Sequence, residues 1–154
     1  IDSTLGILGQ NLKGVSIAKE YGELPVITCK PADVNQVIMN ICTNAVEAMK
    51  DAGTNEPTLK IRSHFHEDSD RIVVEFEDNG PGIPEQVRAR IFDPFFTTKD
   101  VGKGTGLGLS ISYKIIQDHG GDIRVESGNW GTRFVLEMPR TGYGEEHGPA
   151  DASV

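Results

Sequence analysis

The sequence is poor in cysteine and in positive charge, and it contains no long apolar run. Its cysteines are Cys29 and Cys42, and Cys42 lies among apolar residues of a predicted helix, so we expect free thiols rather than a disulfide or a metal pair. This cysteine usage fits a reducing, cytoplasmic location. A net charge of −8 over 154 residues argues against nucleic acid or anionic lipid as a main partner. Because neither a membrane-spanning stretch nor a signal peptide is visible, we expect no direct membrane contact.

Further absences concern the organisation of the chain. The sequence shows no internal repeat and no second domain. It begins at Ile1 rather than at methionine, so we expect it to be cut from a longer protein. The glycines at 104, 106 and 108 alternate, and this spacing fits neither a Walker A phosphate loop nor a dinucleotide-binding fingerprint.

Apolar periodicity predicts alternating helices and strands. Helices are predicted at 5–12, 31–50, 84–91 and 108–119, and strands at 15–21, 26–29, 59–65, 72–78, 123–125 and 134–138. This order predicts an α+β sandwich with helices on one face of a mixed sheet and solvent on the other. We interpret residues 93–107 as a mobile loop, 1–140 as one domain and 141–154 as a disordered tail.

Asp78 ends a strand whose inward face is apolar. Because side chains alternate along a strand, Asp78 shares its face with Ile72, Val74 and Phe76. A carboxylate there is costly unless a donor meets it, and the amino group of an adenine would be a suitable donor. Asp78-Asn-Gly-Pro-Gly82 is also good turn chemistry in itself, so a plain turn aspartate is an equally open interpretation.

A stripe of amide and acidic side chains lies on the predicted helix at 31–50. Gln36, Asn40, Asn44 and Glu47 recur at helical spacing beside its apolar face. Amide oxygens can bind Mg²⁺, which takes further ligands from phosphate and water, so the stripe fits the edge of a metal–triphosphate site. A solvated helix face is the alternative.

The glycine-rich segment after residue 101 precedes a predicted helix. The N-terminal amides and the dipole of that helix could face an anion, and Lys99 and Lys103 add positive charge. A flexible surface loop is the alternative interpretation.

Five segments, in this order, resemble the catalytic ATP-binding domain of sensor histidine kinases, most closely the nitrogen-regulator type. Residues 36–48 resemble the asparagine box of that family, 78–83 its first glycine box, 92–99 its phenylalanine box, 102–110 its second glycine box, and 131–134 a late Gly-Thr element. The family shares a superfamily with heat-shock chaperone ATPases, type II topoisomerases and mismatch-repair ATPases. The resemblance implies the two-layer Bergerat fold, with a mostly antiparallel sheet of about five strands and a flexible ATP lid at 96–107.

The resemblance also implies roles for the matching positions, with ATP and Mg²⁺ as cofactors. Asn44 would bind the metal, with Glu47 beside it, and Asp78 would bind the adenine amino group directly and through a water near Thr132. The base would be lined by Gly80, Gly82 and Ile83. Lys99 or Lys103 would reach the phosphates, and the remaining lid contacts would come from Phe96, Gly102, Gly104, Thr105, Gly106, Leu107 and Gly108.

Asn40 distinguishes the branches of that superfamily. The ATPase branches have a glutamate at this position to activate a water, and an asparagine cannot accept that proton. We therefore expect weak hydrolysis and phosphoryl transfer to a histidine, with Asn40, Asn44, Lys99 and Lys103 as the catalytic residues. The acceptor would lie in a separate dimerisation domain, because the histidines at 64, 66, 119 and 147 are not in the acceptor motif and have ordinary roles.

The implied partners are that phosphoacceptor domain and, indirectly, a response regulator. We expect the isolated domain to be a monomer and the full-length protein a homodimer. The alternatives are a degenerate nucleotide-sensing module, against which the presence of Asn44, Asp78 and the lid glycines counts, and an ATPase clamp, against which Asn40 counts.

Overall fold

The computed structural model of the protein describes residues 1–102, 104 and 106–141. In chain order its elements are α1 (Asp2–Ile7), β1 (Ser16–Tyr21), α2 (Pro31–Asp51), β2 (Thr58–His66), β3 (Arg71–Asp78), α3 (Glu85–Arg88), α4 (Gly108–Asp118), β4 (Asp122–Gly128) and β5 (Gly131–Pro139). A short 3₁₀ turn at Glu67–Ser69 joins β2 to β3. The predicted long helix, the helix after the glycine-rich segment and the two hairpins are therefore confirmed.

The strands form one mixed sheet in the order β1-β2-β3-β5-β4. β1 and β2 are parallel because the chain crosses back through α2 between them, and the other neighbouring strands are antiparallel. α2 packs on β2 and β3, and α4 packs on α2 and on β4 and β5. The predicted two-layer α+β sandwich with a mostly antiparallel, five-stranded sheet is confirmed.

The hydrophobic core lies between α2, α4 and the inner face of the sheet. α2 begins at Pro31, where the missing backbone N–H of proline has no cost. Its buried residues recur every three or four positions: Val37, Ile38, Ile41, Cys42, Ala45, Val46 and Met49. Both cysteines are free, as predicted, and burial raises the pKa of the Cys42 thiol to about 12.

The outer face of the sheet bears ion pairs over two buried valines. Val73 and Val135 are 5% and 3% exposed, and strand alternation places them on the face away from the helices. Around them lie the pairs Arg62–Glu75, Arg62–Glu77, Arg71–Glu137, Arg124–Glu137, Arg133–Glu77 and Arg133–Glu126. The stems of these long side chains shield the valines while the charged groups meet solvent.

Three sequence-based assignments were wrong: the strand at 26–29, the end of the first helix, and the extent of the helix predicted at 84–91, which spans only Glu85–Arg88. Residues 26–29 form no strand: the Val26 side chain is 91% exposed, although the Thr28 N–H donates to the Arg140 carbonyl at 2.9 Å. The segment lies between Pro25 and Pro31, neither of which can donate a backbone N–H to a strand ladder. The first helix ends at Ile7 rather than at residue 12, since the glycines at 6, 9 and 14 weaken a helix and residues 8–14 form turns.

Three predictions fall wholly or mostly outside the described residues. These are the lid contacts of Lys103 and Thr105 and the disordered tail, of which only Thr141 is described. Within the described part of the chain, no helix combines the length and the apolar character needed to cross a membrane.

Candidate functional site

A cavity of about 1130 Å³ lies between α2, the end of β3 and the segment that precedes α4. A second cavity of about 490 Å³ lies beside α2 and shares Asn44, Glu47, Lys99 and Gly104 with the first. The two spaces together extend from the end of the sheet to the N-terminus of α4. Such a space can hold an elongated ligand with two chemically different ends.

Asp78 stands at the inner end of the larger cavity. It is 5% exposed, and its Oδ1 accepts a hydrogen bond of 2.9 Å from the Gly80 N–H, while the backbone of Thr132 on β5 donates a second. Burial raises the pKa of the Asp78 carboxyl, against the opposing effect of these two N–H groups. Asp78 therefore stabilises the turn that follows β3 and also lines the cavity.

The turn after β3 is attached to the neighbouring hairpin. Ser127 accepts a hydrogen bond of 2.7 Å from the Ile83 N–H, and its hydroxyl also lies 3.0 Å from the hydroxyl of Thr132. Gly82 has φ +78°, and a Cβ built there would lie 2.2 Å from the Gly128 carbonyl oxygen. This wall therefore requires glycine at 82 and the hydroxyl at 127.

The polar residues along α2 have two different roles in the structure. Asn44 and Glu47 line both cavities, whereas Asn40 turns toward the start of α4. The Asn40 amide donates to the Gly108 carbonyl at 3.0 Å and to the Ser112 hydroxyl at 3.1 Å. Asn40 therefore fastens α4 to α2 at the edge of the smaller cavity.

Described residues of the segment before α4 line both cavities. Lys99 forms an ion pair with Glu47, which links this segment to α2. Gly106 has φ +67°, and a Cβ there would lie 2.4 Å from the backbone carbon of Phe95. The Arg90 guanidinium lies over the Phe96 ring, 4.7 Å from its centre, and Phe96 lines the cavity.

Most of the sequence-predicted site residues that the structure describes meet at these cavities. The larger one is lined by Asn44, Glu47, Asp78, Gly82, Ile83, Phe96, Lys99, Gly104, Gly106 and Thr132. The smaller one adds Asn40, Gly102 and Gly108. Two predicted residues border the site without lining either cavity: Gly80 donates to Asp78, and Leu107 precedes the first residue of α4.

Several lining residues and Ser127 were not predicted from the sequence. Asp51 lines the larger cavity, and its position seven residues after Asn44 continues the helical stripe, so spacing could have found it. Thr97 and Thr98 lie inside a recognised segment and line the cavity as well. Ser127 had no such signal, because its partner is 44 residues away.

Comparison with known proteins supports the resemblance to sensor histidine kinases over most of the chain. Residues 29–142 match the family described as histidine kinase-, DNA gyrase B-, and HSP90-like ATPase. The chain is 41% identical to sporulation kinase E of Bacillus subtilis (strain 168) over 131 residues, which are 84% of this chain and 17% of that protein. It is 35% identical to the sensory histidine kinase/phosphatase NtrB of Rhizobium leguminosarum bv. phaseoli, over 82% of this chain and 36% of that protein. The chain thus spans a minor part of these relatives.

Solved structures agree with this match. The catalytic domain of histidine kinase ThkA, in a nucleotide-free form, has a TM-score of 0.79 at 32% identity, covering 92% of this chain and 90% of that one. ThkA in complex with the response regulator protein TrrA gives a TM-score of 0.74 at 29% identity, covering 92% of this chain and 39% of that one. The shared fold and these matches show that the chain belongs to the histidine kinase-, DNA gyrase B-, and HSP90-like ATPase family, as a catalytic domain of the sensor histidine kinase type.

Proposed function

We propose that this domain binds ATP with Mg²⁺ and transfers the γ-phosphoryl group to a histidine of a separate dimerisation domain. The observation that carries the proposal is the chemical difference between the two ends of the space that the two neighbouring cavities form, called the cavity from here on. Asp78 ends an apolar strand face at one end, and Asn44, Glu47 and Lys99 gather at the other. A nucleotide has the matching polarity, with an aromatic base at one end and a charged triphosphate at the other.

The adenine would lie against Asp78. Its amino group would donate to the buried carboxylate, and the Thr132 hydroxyl, held by Ser127, stands beside the same site. Ile83 and Phe134 give the apolar surface that a purine ring needs. Since both N–H partners of Asp78 come from backbone, the carboxylate is oriented before any ligand arrives.

The residues at the other end fit a magnesium ion. The Asn44 amide oxygen is a hard ligand of the kind Mg²⁺ prefers, and its side chain makes no hydrogen bond with the other residues that the structure describes. When bound, the ion would offset the charge of the triphosphate. Asn44 would hold it from α2, while Lys99 can move from Glu47 to a phosphate oxygen.

Asn40 favours transfer over hydrolysis. Its amide nitrogen donates to Gly108 and Ser112, and an amide has no basic site for the proton of an attacking water. The domain then positions the phosphoryl group and leaves the nucleophile to another domain. We assign this activity to residues 1–140, as a cytoplasmic monomer in isolation and as part of a homodimeric protein that would pass the phosphoryl group to a response regulator.

The test supplies labelled ATP, Mg²⁺ and a purified dimerisation and phosphoacceptor domain of a sensor kinase. We expect acid-labile label on the acceptor histidine, lost with Asp78→Asn and kept with Asp118→Asn, a matched change at an exposed site on α4. Absence of phosphohistidine would contradict the kinase proposal. Steady ATP hydrolysis by the domain alone would favour an ATPase instead, and nucleotide binding without either reaction would favour a sensing module.

A further inference from the structure

His64 and His66 lie side by side on β2, on the outer face of the sheet. They are two residues apart, so strand alternation gives both side chains the same face. Their Nε2 atoms are 3.1 Å apart, and the rings stand edge to face with 4.7 Å between their centres. His64 is half-buried and His66 is exposed, and the contact between their rings is on the exposed surface.

This separation suits two ligands of one metal ion. Imidazole nitrogens bind Zn²⁺ at about 2.0–2.1 Å, which places two ligands about 3.3 Å apart at a tetrahedral ion and about 2.9 Å apart at a square-planar ion. The observed 3.1 Å lies between these values. In the free protein one ring donates to the other, and a move of that proton to Nδ1 would leave both Nε2 lone pairs available.

The neighbouring charges do not oppose a cation. Arg62, two residues before His64, is paired with Glu75 and Glu77. Arg71, opposite His66 on β3, is paired with Glu137. The residue opposite His64 is the buried Val73, which is uncharged. Each nearby guanidinium is therefore balanced by a carboxylate.

We propose that His64 and His66 form a two-ligand site for a divalent transition metal ion of the zinc, nickel and copper class. Among the described residues, no group of three or more histidine, cysteine or acidic side chains could hold a metal, so water or a partner molecule completes the coordination. The site is separate from the nucleotide cavity, because Asp78 and His64 lie on opposite faces of the sheet. Mg²⁺ does not compete, since it prefers oxygen ligands.

The test titrates NiCl₂ and ZnCl₂ into the untagged, nucleotide-free domain in excess Mg²⁺, by calorimetry and by thermal unfolding. We expect one ion per chain, and a melting temperature that rises with metal because the pair is assembled in the folded strand. His64→Gln and His66→Gln should each lower the affinity about a hundredfold, since the second imidazole no longer acts at a high effective concentration. His147→Gln, a control in the C-terminal segment, should bind as the wild type does.

Three results would overturn the proposal. These are no saturable binding by the wild type, wild-type affinity in either strand variant, or loss of binding in His147→Gln. The melting temperature of each variant without metal shows whether it folds. Asp78→Asn should keep its metal affinity, so a failure of this site and a failure of the nucleotide proposal can be told apart.

Discussion

The two ends of the cavity are held in different ways. At the Asp78 end, a strand, a hairpin and the turn between 79 and 84 are connected by short hydrogen bonds to backbone groups, with Ser127 at the junction. At the other end, the segment around Lys99 is linked to α2 by an ion pair between long, partly exposed side chains. Exposed ion pairs of this kind contribute little to stability, about 0–1 kcal/mol.

This difference indicates what each end can do. A preorganised wall recognises a rigid group without paying for its own ordering, which suits an adenine ring. A weakly held segment can exchange its ion pair for contacts with a charged ligand and close over it. We therefore infer that base recognition is built into the sheet, whereas phosphate recognition depends on rearrangement of the segment around Lys99.

The largest expected loss of ATP affinity comes from removing the negative charge of Asp78, at the preorganised end of the cavity. Asp78→Asn should lower the ATP affinity by about 3 kcal/mol, roughly a hundredfold. The amide oxygen would still accept from the Gly80 and Thr132 N–H groups, but a donating NH₂ group would replace the second carboxylate oxygen that is proposed to accept from the adenine amino group. Calorimetric titration with Mg-ATP measures the change, and Asp118→Asn is the matched control. Unchanged ATP affinity in a folded Asp78→Asn variant would place the base elsewhere.

A smaller loss is expected from a side chain in the lid segment. Gly106→Ala forces a Cβ against the Phe95 backbone at positive φ, so phosphoryl transfer should fall about thirtyfold, equivalent to about 2 kcal/mol of strain. Gly102→Ala is the matched control, since φ there is +88° but no atom of the residues that the structure describes lies within 4 Å of the added Cβ. If both variants lose the same activity, the loss is due to the positive φ alone, and the close contact of the added Cβ with Phe95 does not contribute.

Ser127→Ala tests the junction that stiffens the Asp78 end. The Ile83 N–H would lose its acceptor, at a cost of about 1.5 kcal/mol in the free energy of unfolding, with a weaker affinity for adenosine. Urea unfolding gives the first quantity and calorimetry the second. Ser69→Ala, on an exposed turn, should change neither. A Ser127→Ala variant that is as stable as the wild type would show that the junction adds no rigidity.

Lys99→Met should affect binding of the phosphates without affecting binding of the base. We expect about a fivefold loss of Mg-ATP affinity, about 1 kcal/mol, and no change for adenosine, because Lys99 contacts only the phosphates in the proposed orientation of the nucleotide. Glu47→Gln should keep or slightly raise the Mg-ATP affinity, since it frees Lys99 and removes a negative charge. Lys114→Met, at an exposed site on α4, is the control. Equal losses of affinity for adenosine and for Mg-ATP in Lys99→Met would contradict the separate recognition of base and phosphates.

The smallest effect concerns stability and pH. The folded-state pKa of Asp78 is raised above its ordinary value of 3.8 by burial, so the folded state holds this proton more tightly than the unfolded state does. The stability that Asp78 contributes is therefore greatest below pH 3.8 and is lost as pH rises through the folded-state pKa. In urea unfolding, wild type should lose stability relative to Asp78→Asn as pH rises toward 7. A constant difference would contradict the shift.

The sequence predicted those parts of the site that depend on local spacing. Strand alternation was enough to place Asp78 on the inner face, and helical spacing was enough to bring Asn44 and Glu47 to one wall. Ser127 and the Lys99–Glu47 pair depend on contacts across 44 and 52 residues, which no local pattern encodes. The proximity of the His64 and His66 nitrogens depends on side-chain rotamers that strand spacing does not fix.

The incorrect strand at 26–29 has a similar cause. Its run of β-branched residues, Val26, Ile27 and Thr28, is typical of a strand. The segment joins no strand ladder, because β1 pairs with β2 through Tyr21 and the chain then leaves the sheet edge toward α2. Local pattern was overridden by topology.

The central claim is that one cavity binds the base at the sheet and the phosphates at the lid segment. The most direct measurement follows the backbone amide resonances of the ¹⁵N-labelled domain during titration with adenosine and, separately, with Mg-ATP. We predict that adenosine shifts Gly80, Ile83 and Thr132, and that Mg-ATP shifts these and also Asn44, Lys99 and Gly104. Adenosine shifts confined to the lid residues, with Gly80 and Thr132 unmoved, would contradict the account.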